Sequence, residues 1–110
     1  MYNVYLLSCG EEQKRYKIGY TKNDVTLRVK QLKTGNSEEL KVERIYKTKW
    51  GTKIESILHR NYSSNRISGE WFELSDSQVE NFLENCKNLE FFIEDTIRNS
   101  TFKNPKTILK

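Results

Sequence analysis

Tyr2-Asn3-Val4-Tyr5-Leu6-Leu7-Ser8, then Cys9-Gly10-Glu11-Glu12-Gln13-Lys14, then Arg15-Tyr16-Lys17-Ile18-Gly19-Tyr20: this opening stretch decides the fold. Residues 2–8 and 15–20 are rich in strand formers, and the polar, glycine-bearing segment between them reads as a turn. The two runs make a β-hairpin with a loop longer than two residues. Gly19, near the end of the second strand, marks a bulge or the close approach of another group. Side chains alternate across a strand, so Lys17 and Gly19 share one face while Tyr16 takes the other.

Outward from the hairpin, Asn23 or Asp24 caps a helix over 24–33. Val25, Val29 and Leu32 fall at i, i+4 and i+7 and give it one apolar face, with Arg28 beside that stripe. Thr34-Gly35-Asn36-Ser37 ends it. Residues 40–48 form a third strand. Leu40, Val42 and Tyr46 have the parity of one face, and Ile45 is out of step. A second helix covers 51–62, with Ile54, Ile57 and Leu58 on its apolar side and Tyr62 at its end. Residues 63–69 read as a loop and 70–74 as a short strand. Ser75 caps a third helix, and Gln78 completes a capping box. Val79, Phe82, Leu83 and Cys86 mark its buried side. Asn88 interrupts it before Leu89, Phe92, Ile93 and Ile97 resume the stripe. Residues 99–110, with Pro105, form a basic tail. The order β-β-α-β-α-(β)-α predicts an α/β (α+β) domain over 1–98, in which helices pack on a sheet and a helical segment is added at the C-terminal end.

The 110 residues are 35% hydrophobic, 12% aromatic and 31% charged. That suffices for one modest core and excludes a full dinucleotide-binding unit or an α/β barrel within it. No run of about 18 apolar residues is present, so no membrane span is expected. The N-terminus lacks the basic lead and long apolar stretch of a signal peptide. An intracellular setting, cytoplasmic or nucleoid-associated, follows as the expectation. Charge is unevenly spread: residues 1–66 carry net +7, 67–98 carry −6, and the last twelve +3. A basic N-terminal two-thirds suits a polyanion, although a solvated lysine-rich surface would look the same. Cys9 and Cys86 read as free thiols. With His59 the single histidine, no Cys/His zinc site is expected, and no nucleophile-elbow motif is present.

Four places hold side chains suited to chemistry. Tyr5 on the first strand and Lys17 on the second meet across the sheet if the strands pair, and an ammonium beside a phenol favours its ionised form. Such a phenol could take a proton from water. The ordinary alternative is a packed tyrosine and a snorkelling lysine. Arg28 could hold a phosphate through its guanidinium fork, or be a surface residue. Glu55 lies between two core-type isoleucines with His59 at i+4. A lone carboxylate can hold Mg²⁺ when phosphate and water complete the sphere, and a Glu–His surface pair is the alternative. Glu70, before Trp71-Phe72, could bind a metal or hydrogen-bond a neighbour, and a structural role is preferred. At least one of the two rings must go inside.

Tyr5 in Val-Tyr-Leu, then Tyr16-Lys17-Ile18-Gly19, Arg28, Glu55 followed by Leu58-His59, and Glu70-Trp71-Phe72 together resemble the GIY-YIG nuclease pattern. The nearest form is the phage and microbial variant with a KIG second motif, and the likeness spans residues 2–74. The first motif lacks its glycine, and Lys17 stands at the second-motif tyrosine position with Tyr16 one place early. The resemblance implies a small three-stranded antiparallel sheet flanked by helices, and metal-dependent cleavage of a DNA phosphodiester with Mg²⁺ or Mn²⁺. It implies that Tyr5 activates the attacking water with Lys17 beside it, that Arg28 contacts the phosphate, and that Glu55 binds the metal. Tyr16, His59 and Glu70 are secondary candidates. Lys22, Lys30, Lys33 and Arg60, in the basic region, are the expected contacts to the DNA backbone. A homodimer or a protein partner would supply specificity. Two alternatives stand beside this reading: a non-catalytic nucleic-acid-binding module on the same fold, and an interaction protein that docks a basic partner through its acidic 67–98 segment.

Overall fold

The computed structural model describes residues 1–33 and 39–103, the side chains of Lys33 and residues 100–103 excepted. The expected helix stop at 34–37 and most of the basic tail therefore lie outside the described residues.

The hairpin forms as read. Strand β1 (Tyr2–Cys9) and β2 (Arg15–Thr21) pair antiparallel, with Tyr5 opposite Gly19 and Lys17 opposite Leu7. Gly10, at φ 93° in the turn, adopts a conformation that glycine alone tolerates easily. Helix α1 (Val25–Lys33) follows. Asp24 caps it, its Oδ1 accepting from the Thr26 amide at 2.8 Å. Strand β3 (Leu40–Thr48) pairs antiparallel with the other edge of β1. Helix α2 (Gly51–Asn61) leads through a short 3₁₀ turn into two further strands, β4 (Arg66–Ser68) and β5 (Trp71–Phe72). The sheet thus has five strands in the order β3-β1-β2-β5-β4. The three long strands are those expected, and a short β4–β5 hairpin extends them. Residues 66–68, read as loop, are all exposed and gain strand character only by pairing with β5.

Helices cover both faces of this sheet. Val4, Leu6, Tyr16, Ile18 and Phe72 point to one side, where Ile54, Leu58, Phe82 and Cys86 meet them. Tyr5, Leu7 and Cys9 point to the other, against Val25 and Val29 of α1. Phe72 is fully buried, with the rings of His59 and Tyr62 at 5.0 and 6.5 Å. Phe72→Ala should therefore cost about 3–5 kcal/mol of unfolding free energy, measured as a drop in the urea midpoint.

The broken alternation in β3 has a cause. The register against β1 shifts between Leu6, opposite Arg44, and Leu7, opposite Val42. Glu43 is the extra residue of this bulge, and Ser8 Oγ donates to its Oε2 at 2.6 Å. The bulge reverses parity, so Leu40 joins the Tyr5 side while Tyr46 joins the Val4 side.

At the C-terminal end, Ser75 and Gln78 form the predicted capping box of α3 (Asp76–Glu80). The helical break falls at Asn81, not at Asn88, and α4 (Phe82–Lys103) runs straight through Asn88. Phe82, Cys86, Leu89 and Ile93 keep one stripe in phase across that position, and a single asparagine costs a helix little. Leu83, Phe92 and Ile97, expected inside, are exposed. Tyr46 donates to Glu90, Thr48 donates to the same carboxylate at 3.1 Å, and Trp50 Nε1 donates to Glu94 at 3.0 Å. These bonds hold α4 against β3, and burial with the neighbouring Glu90 pushes the Tyr46 hydroxyl pKa up. Cys9 and Cys86 are buried thiols and form no disulfide. Burial is also the main reason that the Cys86 thiol is pushed up to about 12. No described helix is long and apolar enough to cross a membrane.

Candidate active site

The cleft begins where β5 ends. Along β2, β5 pairs with Tyr16 and Lys17 alone, so β2 from Gly19 onward has no described strand on that side. Tyr5, Gly19, Tyr20, Thr21, Arg28, Glu55 and Glu70 line the resulting cleft of about 280 Å³. Three of the four main candidates, from β1, α1 and α2, thus share one space.

Tyr5 is almost fully buried, and its ring lies across Gly19. A Cβ at Gly19 would stand 2.5 Å from the phenol oxygen, which explains the glycine as a close approach. Arg28 Nε donates to that oxygen at 3.3 Å. This bond, with smaller contributions from Glu70 and Tyr20, pushes the guanidinium pKa further up despite partial desolvation.

Glu55 enters from α2 with only 14% of its side chain exposed. Burial, and then repulsion from Glu70, raise its carboxyl above the ordinary range, while His59 and Lys17 pull the other way. His59 Nε2 sits 2.8 Å from the Ile18 carbonyl and 3.3 Å from Glu55 Oε2. A carbonyl only accepts, so Nε2 carries the proton. His59 therefore ties Glu55 to the backbone of β2. The Ile18 amide in turn donates to the Glu70 carbonyl at 3.3 Å.

Lys17 shares the Tyr5 face but sits diagonally from Tyr5. Its ammonium is 2.9 Å from Glu70 Oε1 and 5.4 Å from the Trp71 ring centroid. It reaches the cleft through Glu70 and does not line it. Tyr16 is not brought to the site: it packs in the opposite core, its hydroxyl pKa raised by burial and by Glu43 and Asp76. Of the expected backbone contacts, Lys22 stands over the Tyr2 ring and Lys30 is exposed on α1. Arg60 lines a separate groove between α2 and α4, and the Lys33 side chain lies outside the described residues. Sequence reasoning missed Tyr20 and Thr21, although their place beside Gly19 on a strand end was a usable signal.

Could these residues hold a divalent cation? Among the described residues no group of three or more His, Cys, Asp and Glu side chains is placed to do so. A desolvated carboxylate opening on a cleft still fits Mg²⁺ or Mn²⁺, because Mg²⁺ is commonly held by one or two carboxylates while substrate phosphate and water supply the rest. The charge of a cation would also offset the desolvation that disfavours the charged form of Glu55.

The antiparallel sheet, flanked by helices, brings a phenol, a guanidinium and two carboxylates into a notch at one strand end. The chain belongs to the T5orf172 domain family, which matches residues 3–94 and is associated with nuclease-like activity. No curated protein and no solved structure matches it.

Proposed function

We propose that the protein is a metal-dependent DNA endonuclease of the GIY-YIG type. The observation that carries this reading is the meeting of Tyr5, Arg28 and Glu55, distant in sequence, in one cleft. Phosphodiester hydrolysis requires a proton acceptor for water, a cation for charge developing on the phosphoryl oxygens, and an electrophile on a non-bridging oxygen. Tyr5, once its phenol has given its own proton to solvent, would take the proton from the attacking water, and solvent water would protonate the leaving oxygen. Arg28, already beside the phenol oxygen, would receive the phosphate and stabilise its developing charge. Glu55 would hold Mg²⁺ or Mn²⁺, which supplies Lewis-acid polarisation of the phosphate when bound. His59 would keep the Glu55 carboxylate in place, and Glu70 would hold Lys17.

The test is a metal titration on supercoiled plasmid. Nicking should appear with Mg²⁺ or Mn²⁺, vanish with chelator, and weaken steeply with added salt, because backbone contacts release counterions. Salt-sensitive binding without strand breaks at any metal would replace the enzyme by a binding module on the same fold. Neither binding nor breaks would leave the acidic 67–98 segment as a protein-docking surface.

A further inference from the structure

One lip of the cleft is aromatic. Tyr20 lines it beside Gly19 and remains 37% exposed. Its ring is braced: Tyr2 meets it edge to face, with centroids 5.7 Å apart and planes at 68°. Tyr2 in turn packs on Gly51 at the start of α2, where any side chain would overlap the Tyr2 ring. The Lys22 ammonium stands 5.4 Å from the Tyr2 centroid. An aromatic pair is thus wedged between sheet and helix, and Tyr20 is its outer member.

The contact with Tyr2 leaves Tyr20 partly uncovered, and the residue lines the cleft. Trp71, the other large ring nearby, is differently placed: the Arg15 guanidinium and Lys17 ammonium lie 5.6 and 5.4 Å from its centroid. Tyr20 is also near enough to Arg28 for its oxygen to favour the guanidinium charge. A phosphate at Arg28 would put its own nucleotide within reach of the tyrosine.

A duplex shows an approaching protein its phosphates and groove edges, while its base faces are covered by neighbouring pairs. An unpaired nucleotide shows a bare base face next to its phosphate, and aromatic side chains capture such faces by stacking. We infer that Tyr20 is a base-stacking platform and that the cleft selects unpaired nucleotides, with a phosphate at Arg28 and the adjoining base on the Tyr20 ring. This rests on the phosphodiester reading of the cleft, but its binding half is measurable without metal.

The experiment uses the full chain in chelator at fixed salt. The probes are a short single-stranded oligonucleotide with a central 2-aminopurine, and the same strand annealed to its complement. The single strand should bind more tightly than the duplex and lose fluorescence through stacking. Tyr20→Ala and Tyr20→Leu should each weaken single-strand binding roughly tenfold or more, the equivalent of one stacked base. Tyr20→Phe should keep both affinity and quenching. Equal affinity for the two probes, or unchanged quenching in Tyr20→Leu at an unchanged melting temperature, would overturn the inference. Metal then separates the two ideas. A protein that nicks plasmid yet ignores the single-stranded probe keeps the nuclease and loses the platform. One that stacks the probe and cuts nothing keeps the platform and loses the nuclease.

Discussion

Glu55→Gln should lower metal-dependent nicking by on the order of a thousandfold and, in chelator at neutral pH, raise the melting temperature. The first effect follows from removing the carboxylate assigned to the cation, whose polarisation of a phosphoryl oxygen is worth several kcal/mol. The second follows from the environment that makes the residue useful. Burial and the nearby Glu70 hold the Glu55 carboxyl above its ordinary pKa, against the weaker pull of His59 and Lys17. The folded chain therefore binds that proton more tightly than the unfolded chain. Between the ordinary and the raised value, stability falls as pH rises, and above the raised value the loss remains in full. Glutamine carries no charge to desolvate, so the variant gains at neutral pH. The gain should close as pH drops below the ordinary carboxylate range. Melting curves against pH, beside plasmid nicking, measure both. A variant that nicks like wild type would remove Glu55 from the cation's shell.

Gly19→Ala should cost about a hundredfold in nicking rate with little change in DNA affinity. The new Cβ would stand 2.5 Å from the Tyr5 oxygen and 2.7 Å from Cζ. Tyr5 is packed with Leu7, Val25 and Val29, so its ring has nowhere to retreat. The phenol must tilt, and the 3.3 Å bond from Arg28 Nε goes with it. A displacement of about 1 Å at reacting groups can cost that factor, and overpacking of this kind costs about 1–3 kcal/mol in stability. Tyr5→Phe, which keeps the ring and loses the oxygen, should slow nicking similarly. The double variant should be no slower than Tyr5→Phe alone, because both changes act on one atom. Additive losses would place the effect of Gly19 elsewhere.

Much of the fold was legible because local chemistry and tertiary packing agree there. The hairpin announced itself through two runs of strand formers around a polar turn, and Asp24 and Ser75 announced their helices through cap chemistry. What stayed hidden depended on partners. The bulge at Glu43 exists only relative to β1, so Ile45 registered merely as an irregularity. β4 has no buried face, and its three exposed residues take strand form by pairing with β5. Asn88 reads as a break by residue type alone, whereas the apolar stripe on either side of it carries the helix through. In the cleft, Tyr5, Arg28 and Glu55 are legible as candidates from their chemistry, and the motif likeness joins them into one site. Lys17 was expected against Tyr5, but register set it opposite Leu7 and Glu70 drew its ammonium away. Tyr16 and Tyr20 flank the same motif, and only the strand end decided which of them faces open space.

The peptide of Ile18 is held from both sides, its amide by Glu70 and its carbonyl by His59. Tyr5 and Arg28 come from one side of the sheet and Glu55 from the other, so the cleft is assembled only once both layers have packed on the hairpin. On the proposed function, a nascent or half-folded chain carries no active blade.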